Sequence, residues 1–500
     1  MSTFAAFIDF RKAFDSIDRE LLFYKLISCG IEGKMYKAIQ SLYKNPLCSV
    51  TVNNNLTDWF SCDTGVRQGD VLSPTLFNIY INDLVFDLDR LGLGVNLHEN
   101  LRISSLLYAD DLVIVAESEN DLQQLLNEVY NWCYKWKLNI NNSKSNVIHF
   151  RKSRVKKSTF VFNVGEKHLE IVSQYKYLGI VLDEHLNFNK ASEVLGGAAG
   201  RALSVIISKF KNIHGMGYET FTKLFHSCVS PILDYSCCIW GFDNFKDIEK
   251  IQNQACRFYL GVHKFAPIIA VQGDMGWKTS RHRRMLHIMR YWNRLIKMND
   301  ARLTKKIFRW DFECIGDNWT RNLEIIFENF DLSHIYNTMS QVNIQNFDKC
   351  LTEEFQEKWK LELTTKPKLR TYALFKNIYL TENYVKGCFS RKYRSLLAQI
   401  RCGILPIRVE TGRFHRLPLE ERICEFCDSG DIEDEIHLLL FCNNYVIPRK
   451  YLLSDIKKDN TEFDNLSTSD KLSYMFTVKW NMTAKYLYDA MAIRTMALFQ

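Results

Sequence analysis

The sequence predicts an α+β first portion followed by an all-α portion, and two observations carry that reading. Up to about residue 183, short apolar runs closed by charged or turn-forming residues alternate with segments whose apolar residues recur at helical intervals. From about residue 190 the spacing becomes predominantly helical, punctuated by Gly196-Gly197 and Gly215-Met216-Gly217, with only sparse prolines before Pro406. A chain of 500 residues that is 47% hydrophobic and 13% aromatic can bury several cores, which excludes wholesale disorder. It has no repeat at a solenoid period and no low-complexity linker; the nearest approach is the basic run Arg151-Lys152-Ser153-Arg154-Val155-Lys156-Lys157.

Taken in order, residues 4–10 are an apolar run ending at Asp9-Phe10 and predict a strand, and residues 18–43 follow with helical spacing. Residues 46–62 read as a Pro-started hairpin. Residues 74–88, with Leu76, Phe77, Tyr80 and Leu84 at helical intervals, predict a helix begun at Pro74. Residues 104–116 hold two apolar runs broken at Ala109-Asp110-Asp111, as in a β-hairpin, and residues 120–137 return to helix.

The formal net charge of +8 suits a polyanionic partner without requiring one. Fifteen cysteines, an odd number scattered along the chain, no charged-then-apolar leader and no apolar run of membrane-spanning length together predict an intracellular, reducing compartment.

The chemistry-bearing residues begin with three carboxylates. Asp9 closes an apolar strand and Asp110-Asp111 sit at the turn of an apolar hairpin, where uncompensated charge is costly. Carboxylates crowded together repel and hold their protons more tightly unless a divalent cation binds, and Mg²⁺ prefers such oxygen ligands. Two such ions about 3.5–4 Å apart can activate an attacking hydroxyl and stabilise a leaving phosphate oxygen. An Asp-Asp pair alone, however, is also an ordinary polar turn.

Context decides between the two. Phe7-Ile8-Asp9-Phe10-Arg11-Lys12-Ala13-Phe14-Asp15, then Gly65-Val66-Arg67-Gln68-Gly69-Asp70-Val71-Leu72-Ser73-Pro74 with Leu76-Phe77-Asn78, then Tyr108-Ala109-Asp110-Asp111, resemble the first three motifs of a reverse transcriptase of the non-LTR, LINE-like retrotransposon type. Asn139, Asn141 and Lys144 resemble its fourth motif, and Tyr177-Leu178-Gly179 its primer-contacting turn, so the likeness covers residues 4–183. It implies a palm built as an antiparallel sheet with helices, two Mg²⁺ or Mn²⁺ ions on Asp9, Asp110 and Asp111, and RNA template, DNA primer or target and dNTPs as partners, with no membrane. Phe10 and Tyr108 would lie at the nucleotide, and Phe14 under its sugar, where a 2′-hydroxyl would clash. Gln68 and Gly69 would lie against nucleotide and template, and Lys144 near the phosphates. Each also has a plainer reading: a core ring for Phe14, a turn before a Pro-started helix for Gln68-Gly69, a solvated cation for Lys144, an ordinary strand and turn for residues 177–179.

After the palm, residues 198–210, 220–233 and 248–260 resemble thumb helices that would grip template and primer. Arg281-His282-Arg283-Arg284, with Trp277, Tyr291 and Trp292, suits either a phosphate-binding and base-stacking surface or a solvated helix face. The other strong constellation is Cys424-x-x-Cys427, nine residues, His437, four residues, Cys442, whose ligand types suit tetrahedral Zn²⁺. The Cys-x-x-Cys step alone also suits a redox pair, and His437 a capping or core role; the complete four-ligand set and the lack of a thioredoxin-like βαβ pattern favour zinc. Its surroundings, from Arg401 to Pro406 and Gly412-Arg413-Phe414, resemble the C-terminal region of non-LTR elements, which implies RNA or target-DNA binding by a zinc knuckle.

The resemblance implies five regions: palm 1–185, helical thumb 186–300, helical linker region 301–400, Cys/His zinc-knuckle module 401–450 and helical tail 451–500. It implies RNA-directed DNA polymerase activity by two-metal nucleotidyl transfer, in a cytoplasmic ribonucleoprotein and the nucleus. Because the fingers and an endonuclease would precede Asp9, the sequence also leaves open a catalytically inactive, nucleic-acid-binding remnant.

Overall fold

The computed structural model describes residues 2–98, 101–387 and 390–498. The chain divides into two compact units, residues 1–191 and 192–500.

The first unit is organised around one strand, β1 (Thr3–Ile8). Its uninterrupted apolar run follows from burial on both faces. Phe4, Ala6 and Ile8 point into a large core that also takes in Leu22, Phe77, Leu84, Leu126 and Trp132. Ala5 and Phe7 point the other way, into a smaller core with Val113, Ile148 and half-buried Tyr175, Tyr177 and Leu182.

Chain order continues with α1 (Arg19–Ser28) and α2 (Gly33–Leu42), the short strands β2 (Leu47–Cys48), β3 (Thr51–Val52), β4 (Asn55–Leu56) and β5 (Phe60–Ser61), and α3 (Ser73–Arg90). Then follow β6 (Val95–His98), β7 (Leu101–Ile103), β8 (Ser105–Tyr108), β9 (Asp111–Ala116) and α4 (Glu119–Lys135). The unit closes with β10 (Asn146–Phe150), β11 (Phe162–Val164), β12 (Lys167–Ile171), β13 (Gln174–Tyr177) and β14 (Ile180–Asp183). Side chains of Asp18 and Ser118 cap α1 and α4, accepting from the backbone N–H of Leu21 and Asp121.

The helical stretch expected over 18–43 is two helices rather than one. Gly30, at φ 79°, ends α1 in a left-handed cap in which Ile31 N–H reaches back to Leu26 O at 2.9 Å. The main sheet runs β11-β12-β10-β1-β9-β8. It departs from the expected antiparallel sheet at one place, because β10 and β12 pair in parallel, Asn146 opposite Glu170. Strand β11 lies between them in sequence order and, paired antiparallel with β12, supplies the return. Within the large core Lys25 is clasped between the Trp132 and Trp136 rings, 4.6 and 3.6 Å from their centroids, and bonds Asp83 at 2.7 Å.

The second unit is helical. Gly196-Gly197, expected as punctuation, lies inside the helix Asn189–Asn212; a β-carbon on Gly196 would come within 3.1 Å of the Asp247 carbonyl, so the glycine serves close helix packing instead. The expected helix 220–233 is interrupted by a π-helical turn, Phe225–Val229, ahead of Pro231. One core gathers about the fully buried Trp292, whose Nε1–H donates to Ser340 O at 2.8 Å. Another knot is ionic: Arg401 and Asp274, both fully buried, pair at 2.7 Å, and Tyr372 and Tyr384 donate to the same carboxylate. These bonds satisfy charges that burial would otherwise make costly. Among the described residues no helix is long and apolar enough to cross a membrane.

Candidate active site and candidate metal centre

The aspartates meet through sheet register. β1 and β9 are antiparallel with Ile8 opposite Leu112, so one further step sets Asp9 opposite Asp111, about 5 Å apart at Cα by ordinary strand geometry. Asp110 lies in the two-residue turn between Tyr108 and Asp111, after Ala109, which takes a left-handed φ of 51°. Burial first, then the Asp110 and Asp9 charges, raises the Asp111 pKa. A cation at these oxygens would relieve that strain.

Asp9 is held from the far end of the unit. Its N–H donates to Ser145 Oγ at 3.0 Å, its carbonyl accepts from Asn141 N–H at 2.7 Å, and its Oδ2 accepts from Asn141 Nδ2 at 2.8 Å. Ser145 is buried and donates to Asn141 O at 2.9 Å, closing the turn that grips the carboxylate and leaves Oδ1 for a ligand. Sequence reading found Asn139 and Asn141 but missed Ser145, whose bond spans 136 positions and leaves no local signal.

The hairpin β13–β14 stands against the same carboxylates: burial and then the charges of Asp9 and Asp111 raise the Tyr175 pKa, and Tyr177 is raised by burial and Asp111. Tyr175, also unanticipated, stacks on Phe7 at 4.5 Å and donates to Lys144 O at 3.1 Å. Leu178 and Gly179 form the turn, at φ 45° and 86°; the former is an uncommon conformation for a leucine.

The segment before α3 docks on the residues after Asp9. Gly65 and Val66 donate to Ile17 O and Phe14 O, both at 2.8 Å, and a β-carbon at Gly65 would strike the Asp15 carbonyl. Gln68 donates to Asp15 Oδ1 at 3.1 Å. Gly69, at φ 87°, has open space where a β-carbon would stand, so within this chain its glycine serves the turn rather than close packing. Phe14 is half-buried and stacks on Phe77 at 4.6 Å, Phe10 is buried and bridges to Ile140, and Tyr108 and Lys144 are exposed.

The second site is closed. The ligand atoms of Cys424, Cys427, His437 and Cys442 all lie within 4.8 Å of one another. Cys424 and Cys442 sulfurs are 3.9 Å apart, and Cys427 Sγ is 3.4 Å from His437 Nε2. Tetrahedral zinc, with bonds of about 2.3 Å to sulfur and about 2.0 Å to nitrogen, requires edges of about 3.8 Å and about 3.5 Å. The sulfur separation is far from the ~2.05 Å of a disulfide. Burial opposes ionisation of Cys427, but hydrogen bonds with Ser429, Cys424 and His437 outweigh it and bring its thiol down to about 6; burial pushes Cys424 up to about 12. Asp434 Oδ1 accepts from His437 N–H at 2.8 Å, and Arg449 donates to Leu438, Leu439 and Cys442 carbonyls, fixing the turn that carries two of the ligands.

The cluster Arg281-His282-Arg283-Arg284 is neither the phosphate-binding surface nor the solvated helix face that its sequence allows. Arg284 is fully buried and donates to Gly241 O, Asp243 O and Ser280; Arg283 pairs with Asp234 at 2.8 Å; His282 is buried against Asp348; Trp277 and Trp292 are core residues. This cluster joins helices and presents no free cationic and aromatic face.

Residues 1–182 match the family of reverse transcriptases (RNA-dependent DNA polymerases). The chain is 25% identical over 300 residues to a probable RNA-directed DNA polymerase from transposon BS of Drosophila melanogaster, covering 58% of this chain and 32% of that protein. It is 24% identical over 254 residues to the RNA-directed DNA polymerase from mobile element jockey of Drosophila funebris, covering 50% of this chain and 27% of that protein. The chain thus spans about a third or less of the length of these curated relatives. Among solved structures, an apo telomerase from Candida tropicalis truncated from its C-terminal domain aligns with 37% of this chain and 35% of its own at 15% identity, with a TM-score of 0.28. The motif order, the match over residues 1–182 and these relatives make the first unit a reverse transcriptase domain of the non-LTR retrotransposon family.

Proposed function

We propose that the chain is an RNA-directed DNA polymerase that joins a dNTP to a primer 3′-hydroxyl by two-metal nucleotidyl transfer, with residues 1–185 as palm and 186–300 as thumb. The observation that supports this most is the register that sets Asp9 opposite Asp111 with Asp110 in the adjoining turn. These three carboxylates would hold two Mg²⁺ or Mn²⁺ ions; the donor set is all oxygen and the raised Asp111 pKa marks negative charge in want of a cation. Bound there, such ions would lower the pKa of the attacking hydroxyl and stabilise the leaving pyrophosphate.

The chain's own residues supply the positioning. Asn141 and Ser145 fix Asp9 so that its oxygens need not reorganise during reaction. Phe14, braced by Phe77, would support the incoming sugar, and Phe10, Gln68, Gly69 and Tyr108 would line the nucleotide. Tyr177, Leu178 and Gly179 would seat the primer end, and Lys144 would meet the phosphates. Alignment of this kind supplies a large part of the rate of a bimolecular transfer.

Cys424, Cys427, His437 and Cys442 would hold one Zn²⁺ as a structural ion, since four protein ligands leave no open position for chemistry. The module would bind element RNA or target DNA, and the protein would work in a cytoplasmic ribonucleoprotein and in the nucleus.

Extension of oligo-dT on poly-rA with Mg²⁺ or Mn²⁺ tests the proposal. The parent chain should extend the primer and the Asp110→Asn, Asp111→Asn double variant should not. RNA binding without extension by the parent would leave a catalytically inactive binding remnant as the better account.

A further inference from the structure

The helix Ser280–Lys297 turns Arg284, Met285, Ile288, Met289 and Trp292 inward, and its opposite face is cationic. Arg290, Arg294 and Lys297, spaced i, i+4 and i+7, are exposed along one side. With Arg302, in the loop that follows, they line an open groove of about 650 Å³ whose remaining walls include Asn293 and Asn299. No carboxylate lines it. Among the described residues none of the four cations has an ion-pair partner; Asp300, two positions from Arg302, pairs with Arg309 instead, at 2.8 Å.

Four like charges in one groove repel one another, so the arrangement calls for a reason. A helix C-terminus attracts cations, but Lys305 already donates to Leu295 O and Ile296 O at 2.8 and 3.2 Å. Arg290 stands about two turns before the helix end and Arg302 beyond it.

We propose that this groove binds the phosphodiester backbone of a nucleic acid strand. The other polar groups there are already engaged: Asn293 exchanges two bonds of 2.8 Å with Val342, and Asn299 accepts from Ala301 N–H at 2.8 Å. No aromatic ring lines the groove, so nothing is offered for stacking or base reading, and the cations alone meet the ligand. The three on the helix span about 10 Å, a length over which one duplex strand displays about three phosphates. The choice of nucleic acid over an acidic protein segment rests on the reverse transcriptase reading above. The contact is sequence-independent and strongly salt-dependent.

The test uses the full chain and the variant Arg290→Gln, Arg294→Gln, Lys297→Gln, Arg302→Gln, with binding to poly-rU and to a DNA duplex measured against NaCl concentration in the absence of dNTPs. Removing four phosphate contacts should flatten the plot of log affinity against log salt by about 3 for the single strand or about 4 for the duplex, and the arm that flattens identifies the strand. The single change Arg290→Gln should flatten it by about 0.7 or about 0.9. Tm should stay at the parent value, because all four side chains are exposed. Unchanged slopes in both arms overturn the proposal, as does polyglutamate binding that the variant loses while nucleic acid binding persists. The binding measurement involves no dNTP and no primer extension, so a failure of polymerisation and a failure of this groove are told apart.

Discussion

The aspartate site and the Cys/His module are both places where like groups converge, yet they are built in opposite ways. The module draws four ligands from nineteen consecutive positions into a closed set with tetrahedral edges, using a tight turn and a helical turn. The aspartates come from strands more than a hundred residues apart, are joined only by sheet register, and stay open. A closed set with no free position stabilises structure; an open set beside a positioned hairpin can admit substrate. The difference also separates what short-range spacing can reveal from what only tertiary pairing creates.

The largest effect expected from breaking this comparison is at Asp9. Asp9→Asn should lower primer extension by about 10²- to 10³-fold, as loss of a group aimed at developing charge does, with zinc content unchanged; single-turnover incorporation and metal analysis on the same sample read both. Next comes Cys442→Ser, which should lose zinc and lower Tm through the 192–500 unit, read by metal analysis and calorimetry. Its single-turnover incorporation, measured on pre-bound primer, should stay within about threefold of the parent, an energy difference under 1 kcal/mol.

A smaller effect sharpens the first site. Asn141→Ala removes a hydrogen bond to a charged carboxylate, a contact worth about 1.5–3 kcal/mol, so kcat should fall about 10- to 100-fold with KM for dNTP little changed. An equal loss of kcat/KM in Phe14→Ala, arising from a raised KM for dNTP at nearly unchanged kcat, would assign the two residues to different tasks: Asn141 to Asp9, Phe14 to the nucleotide.

The smallest effect separates a buried charge of the core from the charges of the site. Burial brings the Lys25 ammonium down to about 8 from 10.5, against the pull of Asp83. Its folded value lies below its unfolded one, so between about pH 8 and 10.5 the unfolded state holds more protons and this group makes stability rise with pH. In Lys25→Met that contribution should vanish, seen as a difference between parent and variant in the change of Tm from neutral to alkaline pH, while the metal dependence of incorporation stays the same.

Much of this was legible. The strand ending at Asp9, the hairpin at Ala109-Asp110-Asp111, the Pro-started helix and the Cys/His set all follow from runs, breaks and short spacings within the sequence. The clamp of Asn141 and Ser145 on Asp9 was only half legible, because a buried serine has no signature of its own. The parallel partner of β10 was invisible, since Val-, Ile- and Leu-rich strands read alike whichever way they pair. Charge alone left Arg281 to Arg284 open between two surface readings, whereas the helical period decides it: Met285, Ile288, Met289, Trp292 and Leu295 mark the buried face, Arg284 falls upon it, and the free cations lie a few turns further on.

The central claim, that the aspartates hold the reacting cations while the Cys/His set keeps a separate ion, is tested most directly by Mn²⁺ titration followed by electron paramagnetic resonance, with poly-rA, a dideoxy-terminated oligo-dT primer and dTTP present. The parent and Cys442→Ser should both bind Mn²⁺ tightly, and Asp9→Asn and the Asp110→Asn, Asp111→Asn variant should not. Tight Mn²⁺ binding that survives loss of the aspartates, or disappears with Cys442, would contradict the account.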